Sequence, residues 1–467
     1  MTTAKQTDHF DAIVIGAGQA GGPLASALAR AGKKTAIVER EHYGGTCVNV
    51  GCTPTKTMIA SGRVAYLARR AADYGIGTGP VTVDQSVIKR RKNTVVDSFR
   101  EGSESSVRGT EGLEAIDGQA RFTGPHDLTV TLNAGGERRL SADQIFINTG
   151  ERSSVPPIDG VEAVPYLTST TVMELDETPK HLVIIGAGYI SLEFGQLFRR
   201  LGAEVTFLVR GEHILDREDT DISDAMRHIL LEDGIGIRFK TQAKRVLMGA
   251  NGGVSLELDG PDGTSETLEA SHLLVATGRT PNTDDLGIET TGVTTNKRGY
   301  IEVNGRLETN VPGIWALGDV KGGPAFTHIS YDDYRIIVAN LLKGGDRSTD
   351  DRIVPYTVFT DPQLGRVGLS EKEARDKGHN VKIASMPMTS VARAIETDET
   401  RGLMKAVIDA DTDQILGAAI LGIDGGEVAT VVQVAMMGNL PYTALRDAVI
   451  SHPTVSESLN NLFMTVE

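Results

Sequence analysis

Cysteine is almost absent from this chain. Two occur among 467 residues. Both fall in one stretch, GGTCVNVGCTPTKT, residues 44–57. So few cysteines exclude a scaffold built on disulfides. Long apolar runs are absent as well. No segment reaches the ~18 consecutive apolar residues of a membrane-spanning helix. No basic segment followed by an apolar one opens the chain, as a secretory signal would require. MTTAKQTDHF reads instead as a short polar lead into a strand. Positive charge is scarce: 47 Lys and Arg face 62 Asp and Glu, a formal net charge of −15. That balance argues against nucleic acid and against an anionic membrane surface as partners. The absences together lead us to expect a cytoplasmic protein. A structural disulfide does not persist in a reducing compartment, so paired cysteines there point to catalysis, redox sensing or a metal.

What is present reads as an ordinary globular chain, with 40% hydrophobic and 23% charged residues. Its length predicts about three domains. The opening, FDAIVIGAGQAGGPLASALARAGKKTAIVER, is a βαβ unit. An apolar strand (Ala12–Ile15) meets a glycine turn, then an alanine-rich helix, then a strand ending at Glu39. Gly16, Gly18 and Gly21 stand in G-x-G-x-x-G spacing. In this pattern the first glycine makes the turn and the second admits a pyrophosphate. The third lets the helix pack closely, with its N-terminus facing the phosphates. Glu39 lies 23 positions after Gly16, where an acid bonds a ribose hydroxyl.

The pattern recurs in HLVIIGAGYISLEFGQLFRRLGAEVTFLVR with Gly186, Gly188 and, in the third place, Ser191. Its second strand is read as Val205–Val209 and is followed by Arg210. An arginine there suits the 2′-phosphate of NADPH, while NADH stays possible. Two further strands, in DQIFINTGERSSVPPI and HLLVATGRTPN, each end in Thr-Gly and look like exits from a nucleotide domain. TNVPGIWALGDV ends a strand at Gly318–Asp319, and Asp319 is well placed for a ribityl or ribose hydroxyl. From about Asp346 strands and helices alternate as in an antiparallel α+β module. There Ser370 opens a helix with Glu371 and Glu373 in its first turn, and GDRSTDDR, 345–352, is the best linker.

The order of these motifs carries a resemblance. A glycine-rich βαβ, C-x4-C-x-P-x-K, a second glycine-rich βαβ, A-T-G-R-x-P-N, G-D-V and H-P-T-x-x-E follow one another along essentially the whole chain. The sequence resembles the FAD-dependent pyridine nucleotide–disulfide oxidoreductases, which include glutathione reductase, lipoamide dehydrogenase and mercuric reductase. Within them it is similar to the mercuric-reductase-like branch, which includes a flavoprotein described as a copper(II) reductase. The resemblance implies an α/β fold with two Rossmann-like nucleotide-binding domains and a C-terminal α+β dimerisation domain. The expected segments are 1–150 (FAD and the redox disulfide), 151–278 (NAD(P)H), 279–345 (completing the FAD site) and 346–467 (dimerisation). It implies FAD and NADPH as cofactors, and a homodimer.

By the same resemblance, Cys47 and Cys52 form a redox-active disulfide. Cys52 would face the flavin and Cys47 would be the exposed thiol that meets the acceptor. The pair is expected at a helix start, where the helix N-terminus stabilises a thiolate. Lys56, one helical turn beyond Cys52, would sit at the flavin and pair with Glu193. Tyr189 would cover the flavin until nicotinamide arrives. His452 would be the base for the exposed thiol of the other subunit, oriented by Glu457. Gly45, Thr46, Thr149, Gly150, Gly278 and Thr327 are carried over as cofactor contacts.

Departures from the family bear on the acceptor. Mercuric reductases carry a C-terminal cysteine pair, and this sequence ends SLNNLFMTVE without one. They carry a tyrosine-type residue where this chain has His452. Metal turnover is therefore expected to use Cys47 and Cys52 alone, as redox pair and as metal ligands. Thiolates suit soft metals, so Hg(II) or Cu(II) is the expected acceptor. Met386, Met388, Met436 and Met437 are soft donors too, read here as packing. A small disulfide or lipoamide-type substrate is the alternative. A flavin-bearing redox sensor or metal-binding module is the non-enzymatic one.

Overall fold

The structure is a computed structural model and describes residues 7–249, 252–350 and 352–466. The polar lead over residues 1–6 and Asp351 of the expected linker lie outside the described residues. The chain divides into two compact units. One comprises Met1–Thr57, Arg90–Ser154 and Gly278–Arg352; the other comprises Met58–Lys89, Val155–Thr277 and Ile353–Glu467.

In the first unit the strand Thr7–Ile15 runs parallel to Thr35–Glu39 on one side and to Glu137–Ile147 on the other. Leu113–Gly124 and Ile314–Ala316 extend this parallel set. Asp127–Leu132 pairs antiparallel with the strands on both its sides. Ile13, Val14 and Ile145 through Ile147 are buried, as an unbroken apolar run should be in a sheet covered on both faces. The helix Gly21–Arg30 buries Leu24, Ala25 and Leu28 in one of the two cores around this sheet.

In the second unit, among the described residues, five parallel strands stand in the order Gly236–Arg238, Glu204–Leu208, His181–Ile185, His272–Val275, Tyr166–Leu167. A three-stranded antiparallel meander, Gln242–Met248, Val254–Asp259 and Ser265–Ala270, belongs to the same unit. The C-terminal part is a five-stranded antiparallel sheet. Helix Glu371–Asp376 begins as read: Ser370 and Glu373 form a reciprocal capping box. Met386 and Met388 lie in the core of this sheet, which agrees with packing, whereas Met437 is exposed.

A buried ion network ties the second unit together. Asp361, 6% exposed, receives Arg200 and, at 2.6 Å, Arg63. Arg401 binds Asp233 at 2.9 Å and Glu399 at 2.7 Å. The Tyr66 ring lies 3.9 Å from the Arg200 guanidinium and 5.6 Å from that of Arg401. Charges this deep are tolerable only while they are mutually satisfied. Asp361→Ala removes the close partner of Arg200 and leaves it only Asp233 at 3.7 Å, and we expect a loss of about 3 kcal/mol. Urea unfolding followed by circular dichroism reads this as a lower transition midpoint, and an unchanged midpoint would show that the network carries no stability.

Candidate active site

Backbone clearance builds the nucleotide end of the first unit. Gly16 has φ +100°, and a Cβ there would lie 2.4 Å from the Asn148 carbonyl oxygen. A Cβ on Gly21 would lie 2.0 Å from the Gly16 carbonyl oxygen. Gly45 has φ +62°, and its Cβ would fall 2.7 Å from the Cα of Gly18. Three stretches therefore converge where only hydrogen fits: the strand end, the start of helix Gly21–Arg30, and the start of the cysteine segment. Such a cradle lets a phosphate reach backbone N–H groups and a helix N-terminus. The Glu39 carboxylate accepts from Ala17 N at 2.8 Å and from Glu41 N at 2.9 Å, which fixes it beside the turn.

Asn148 was not foreseen. It is buried, accepts from Gly21 N at 2.8 Å and donates to the Leu317 carbonyl at 2.9 Å. One amide thus joins the helix start to the strand end preceding Gly318–Asp319. A buried Asn before Thr-Gly, in an otherwise apolar strand, was the available signal. Beyond it, the Thr149 hydroxyl donates to the Asn282 carbonyl at 2.8 Å, and Gly150 turns at φ +66°. Asp319 is set in the turn Gly318–Lys321, and burial pushes its carboxyl above the usual range, against Arg279 and Lys321. The residues present fit a flavin dinucleotide: a phosphate cradle, an acid at the strand end, and a buried carboxyl for a hydroxyl group.

The cysteines do not share one helix. Cys47 lies inside the short helix Gly45–Asn49, with Thr46 before it, and Cys52 opens the next helix, Cys52–Arg69. Both are thiols in this structure. In the single chain Cys52 is exposed and Cys47 is half-buried. The Cys47 thiol is pushed far up, first by its hydrogen bond to Cys52, then by burial and by the charge Cys52 would carry. Thr327 and Lys56 act in the opposite direction. Thr327 also lies 3.5 Å from the Cys52 sulfur. Two thiols, a hydroxyl and an ammonium therefore form one electrostatic group around the Cys47 sulfur.

The second unit holds the other expected residues. Gly186 has φ +119°, and a Cβ there would lie 2.4 Å from the Ala276 carbonyl oxygen. Gly188 precedes helix Tyr189–Leu201 and Tyr189 opens it. Ser191 is fully buried, with its hydroxyl 3.5 Å from the same carbonyl. Arg210 is exposed just past the strand Glu204–Leu208. Glu193 is buried and accepts from Phe359 N at 2.8 Å. Lys56 belongs to the first unit and Glu193 to the second. Gly278 starts the last stretch of the first unit. Exposed His452 holds Glu457 through Nδ1 at 2.8 Å. Among the described residues no cluster of three or more His, Cys, Asp or Glu side chains is arranged to hold a metal ion. No described helix is long and apolar enough to cross a membrane.

Removing the hydroxyl of Thr327 should make the thiol group harder to ionise. In reduced Thr327→Val, iodoacetamide alkylation at pH 8 should slow roughly threefold to tenfold, with its pH midpoint shifted upward. A midpoint unchanged from the unaltered protein would contradict the assigned role.

Comparison with known proteins agrees with this geometry. Residues 10–333 match the pyridine nucleotide-disulphide oxidoreductase family, and residues 354–463 match its dimerisation domain. The chain is 40% identical over 464 residues to the probable pyridine nucleotide-disulfide oxidoreductase RclA of Escherichia coli, covering 98% of this chain and 100% of that protein. It is 35% identical over 459 residues to the mercuric reductase of Staphylococcus aureus, covering 98% and 82%. A solved structure described as the Cu(II) complex of the HOCl-induced flavoprotein disulfide reductase RclA from Escherichia coli superposes with a TM-score of 0.90 at 39% identity, covering 99% of this chain and 100% of that one. The α/β architecture with its antiparallel C-terminal module, the glycine cradle and the adjacent thiols therefore have one assignment: the chain belongs to the pyridine nucleotide-disulphide oxidoreductase family, whose members are FAD-dependent enzymes that use a pyridine nucleotide.

Proposed function

We propose that this enzyme carries electrons from NADPH through FAD to the Cys47–Cys52 pair and on to a soft metal ion, Hg(II) or Cu(II). The observation that supports it most is the pair itself: two hydrogen-bonded thiols beside Lys56 and Thr327. FAD, when bound, supplies the two-electron link between nicotinamide and sulfur. Gly16, Gly18, Gly21 and Gly45 with Thr46 would hold its pyrophosphate side, Glu39 a ribose, and Asp319 with Thr149, Gly150 and Gly278 the remainder. Lys56 keeps a positive charge near the thiols, which lowers the cost of a thiolate, and Glu193 belongs to the same catalytic set. Tyr189 guards the nicotinamide side. Gly186 and Gly188 receive the NADPH pyrophosphate, and Arg210 takes its 2′-phosphate.

At the exit, the dithiol returns to the disulfide and gives up two electrons and two protons. One Hg(II) becomes Hg(0), or two Cu(II) become two Cu(I). Two thiolates are a natural first resting place for either cation. The relatives support this choice: one is named a mercuric reductase, and the RclA structure is described as a Cu(II) complex. We assign residues 1–150, 151–278, 279–345 and 346–467 to FAD binding, NAD(P)H binding, completion of the FAD site and dimerisation of a cytoplasmic homodimer.

The pair His452–Glu457 favours a second reading. A carboxylate on Nδ1 fixes the tautomer and leaves Nε2 to move a proton. In a homodimer that base would serve a small disulfide or lipoamide-type substrate, which needs a proton returned to its leaving thiol.

Anaerobic NADPH consumption against Hg(II) and Cu(II) with excess thiol, oxidised glutathione and lipoamide separates the readings. We expect fast turnover with the metals, abolished in Cys47→Ser while FAD stays bound. Turnover with a disulfide alone, or full metal turnover in Cys47→Ser, would overturn the proposal. In Arg210→Ser, the KM for NADPH should rise about tenfold with little change for NADH. Equal changes for both coenzymes would remove Arg210 from the 2′-phosphate site.

A further inference from the structure

The two Thr-Gly exits meet in the first unit. Glu151–Ser153 pairs antiparallel with Arg279–Pro281, Glu151 opposite Pro281 and Arg279 opposite Ser153. This pairing encloses the Glu151 side chain, leaving the residue 5% exposed. Its Oε1 lies 2.6 Å from Arg279 Nε, and its Oε2 accepts from the Tyr300 hydroxyl at 3.0 Å. Arg279 also donates through a terminal nitrogen to the Glu151 carbonyl at 3.0 Å. The Tyr300 ring packs on Gly322, where a Cβ would come within 3.2 Å of it. Gly322 closes the turn that carries Asp319, and the strand Arg279–Pro281 packs against that turn.

The Arg279 guanidinium thus holds the buried Glu151 carboxylate, while its strand packs against the turn that carries half-buried Asp319. Burial pushes Glu151 above the usual carboxyl range; Arg279 opposes this and Asp319 adds to it. For Asp319 the largest opposing charge is also Arg279. A guanidinium fork that closes on a carboxylate engages both its oxygens and leaves them poorer acceptors for anything else. Glu151 holds Arg279 through Nε with its carboxylate and through a terminal nitrogen with its carbonyl.

We propose that Glu151 is a positioning residue for cofactor binding: by holding Arg279, it keeps the oxygens of Asp319 available to a polyol hydroxyl of FAD. The inference rests on the reading of Asp319 as a flavin-site acceptor. Glu151→Gln keeps the shape and an acceptor for Tyr300 but removes the charge that holds Arg279. Arg279 then closes on Asp319.

The test is the rate of FAD release from the holoenzyme, read as the rise in free-flavin fluorescence after dilution. Glu151→Gln should release FAD about tenfold faster, as expected for losing a charge-assisted hydrogen bond. Glu151→Asp, which retains the charge, should stay within about threefold of the unaltered enzyme. In an Arg279→Gln background, Glu151→Gln should add no further acceleration, because the group it restrains is gone. Release within twofold of the unaltered enzyme for Glu151→Gln, or an equal acceleration in the Arg279→Gln background, overturns the proposal. If Glu151→Gln yields no folded protein, Tyr300→Phe carries the test: about threefold faster release supports the proposal, and no change overturns it. Asp319→Asn separates the two levels. Faster release there, with no effect at Glu151, discards the positioning role alone, whereas no effect at Asp319 discards the reading of that site and this inference with it.

Discussion

The contact on which the active end of this enzyme depends is the approach of Gly45 to Gly18, so close that a single added carbon would lie 2.7 Å from the opposing Cα. It joins two things that must meet for the chemistry to work. One is the dinucleotide turn, with Gly16 at φ +100° against Asn148. The other is the short helix holding Cys47, which begins at Gly45. A side chain at Gly45 would move the thiols away from the turn. The strand order positions the turn, the turn positions Gly45, and Gly45 positions the sulfurs.

The thiols show what that position achieves. Side by side they form one hydrogen-bonded pair, which lets a disulfide close and reopen with small motion. Lys56 and Thr327 favour the ionised form of Cys47, and its hydrogen bond to Cys52 and its burial outweigh them. The Thr327 hydroxyl also lies 3.5 Å from the Cys52 sulfur, so one group acts on both sulfurs. Buried charge is matched elsewhere too: Arg279 holds Glu151, and in the second unit two arginines share Asp361.

Much of this was legible in the chain. The two glycine-rich βαβ units, the Thr-Gly strand ends, Gly318–Asp319 and the capping box at Ser370 each announce a local conformation in a few consecutive residues. The structure forms the expected elements there. The break between the helices that carry Cys47 and Cys52 was not legible, because a four-residue spacing does not reveal it. Asn148, Glu151 and Tyr300 were missed for a different reason. Asn148 pairs with Gly21, Glu151 with Arg279 and Tyr300 with Glu151, each over a hundred residues away, and no local pattern encodes such pairings. Similarity of the two Thr-Gly exits was visible; that they pair with each other was not.

The central claim is that Cys47 and Cys52 are the point through which reducing equivalents leave. Differential alkylation with mass spectrometry, on the air-oxidised holoenzyme before and after anaerobic NADPH, tests it directly. The account predicts that both cysteines resist alkylation before NADPH and that both are labelled after it. Two labelled cysteines before any reductant, or two that stay unlabelled after NADPH has been consumed, would contradict it.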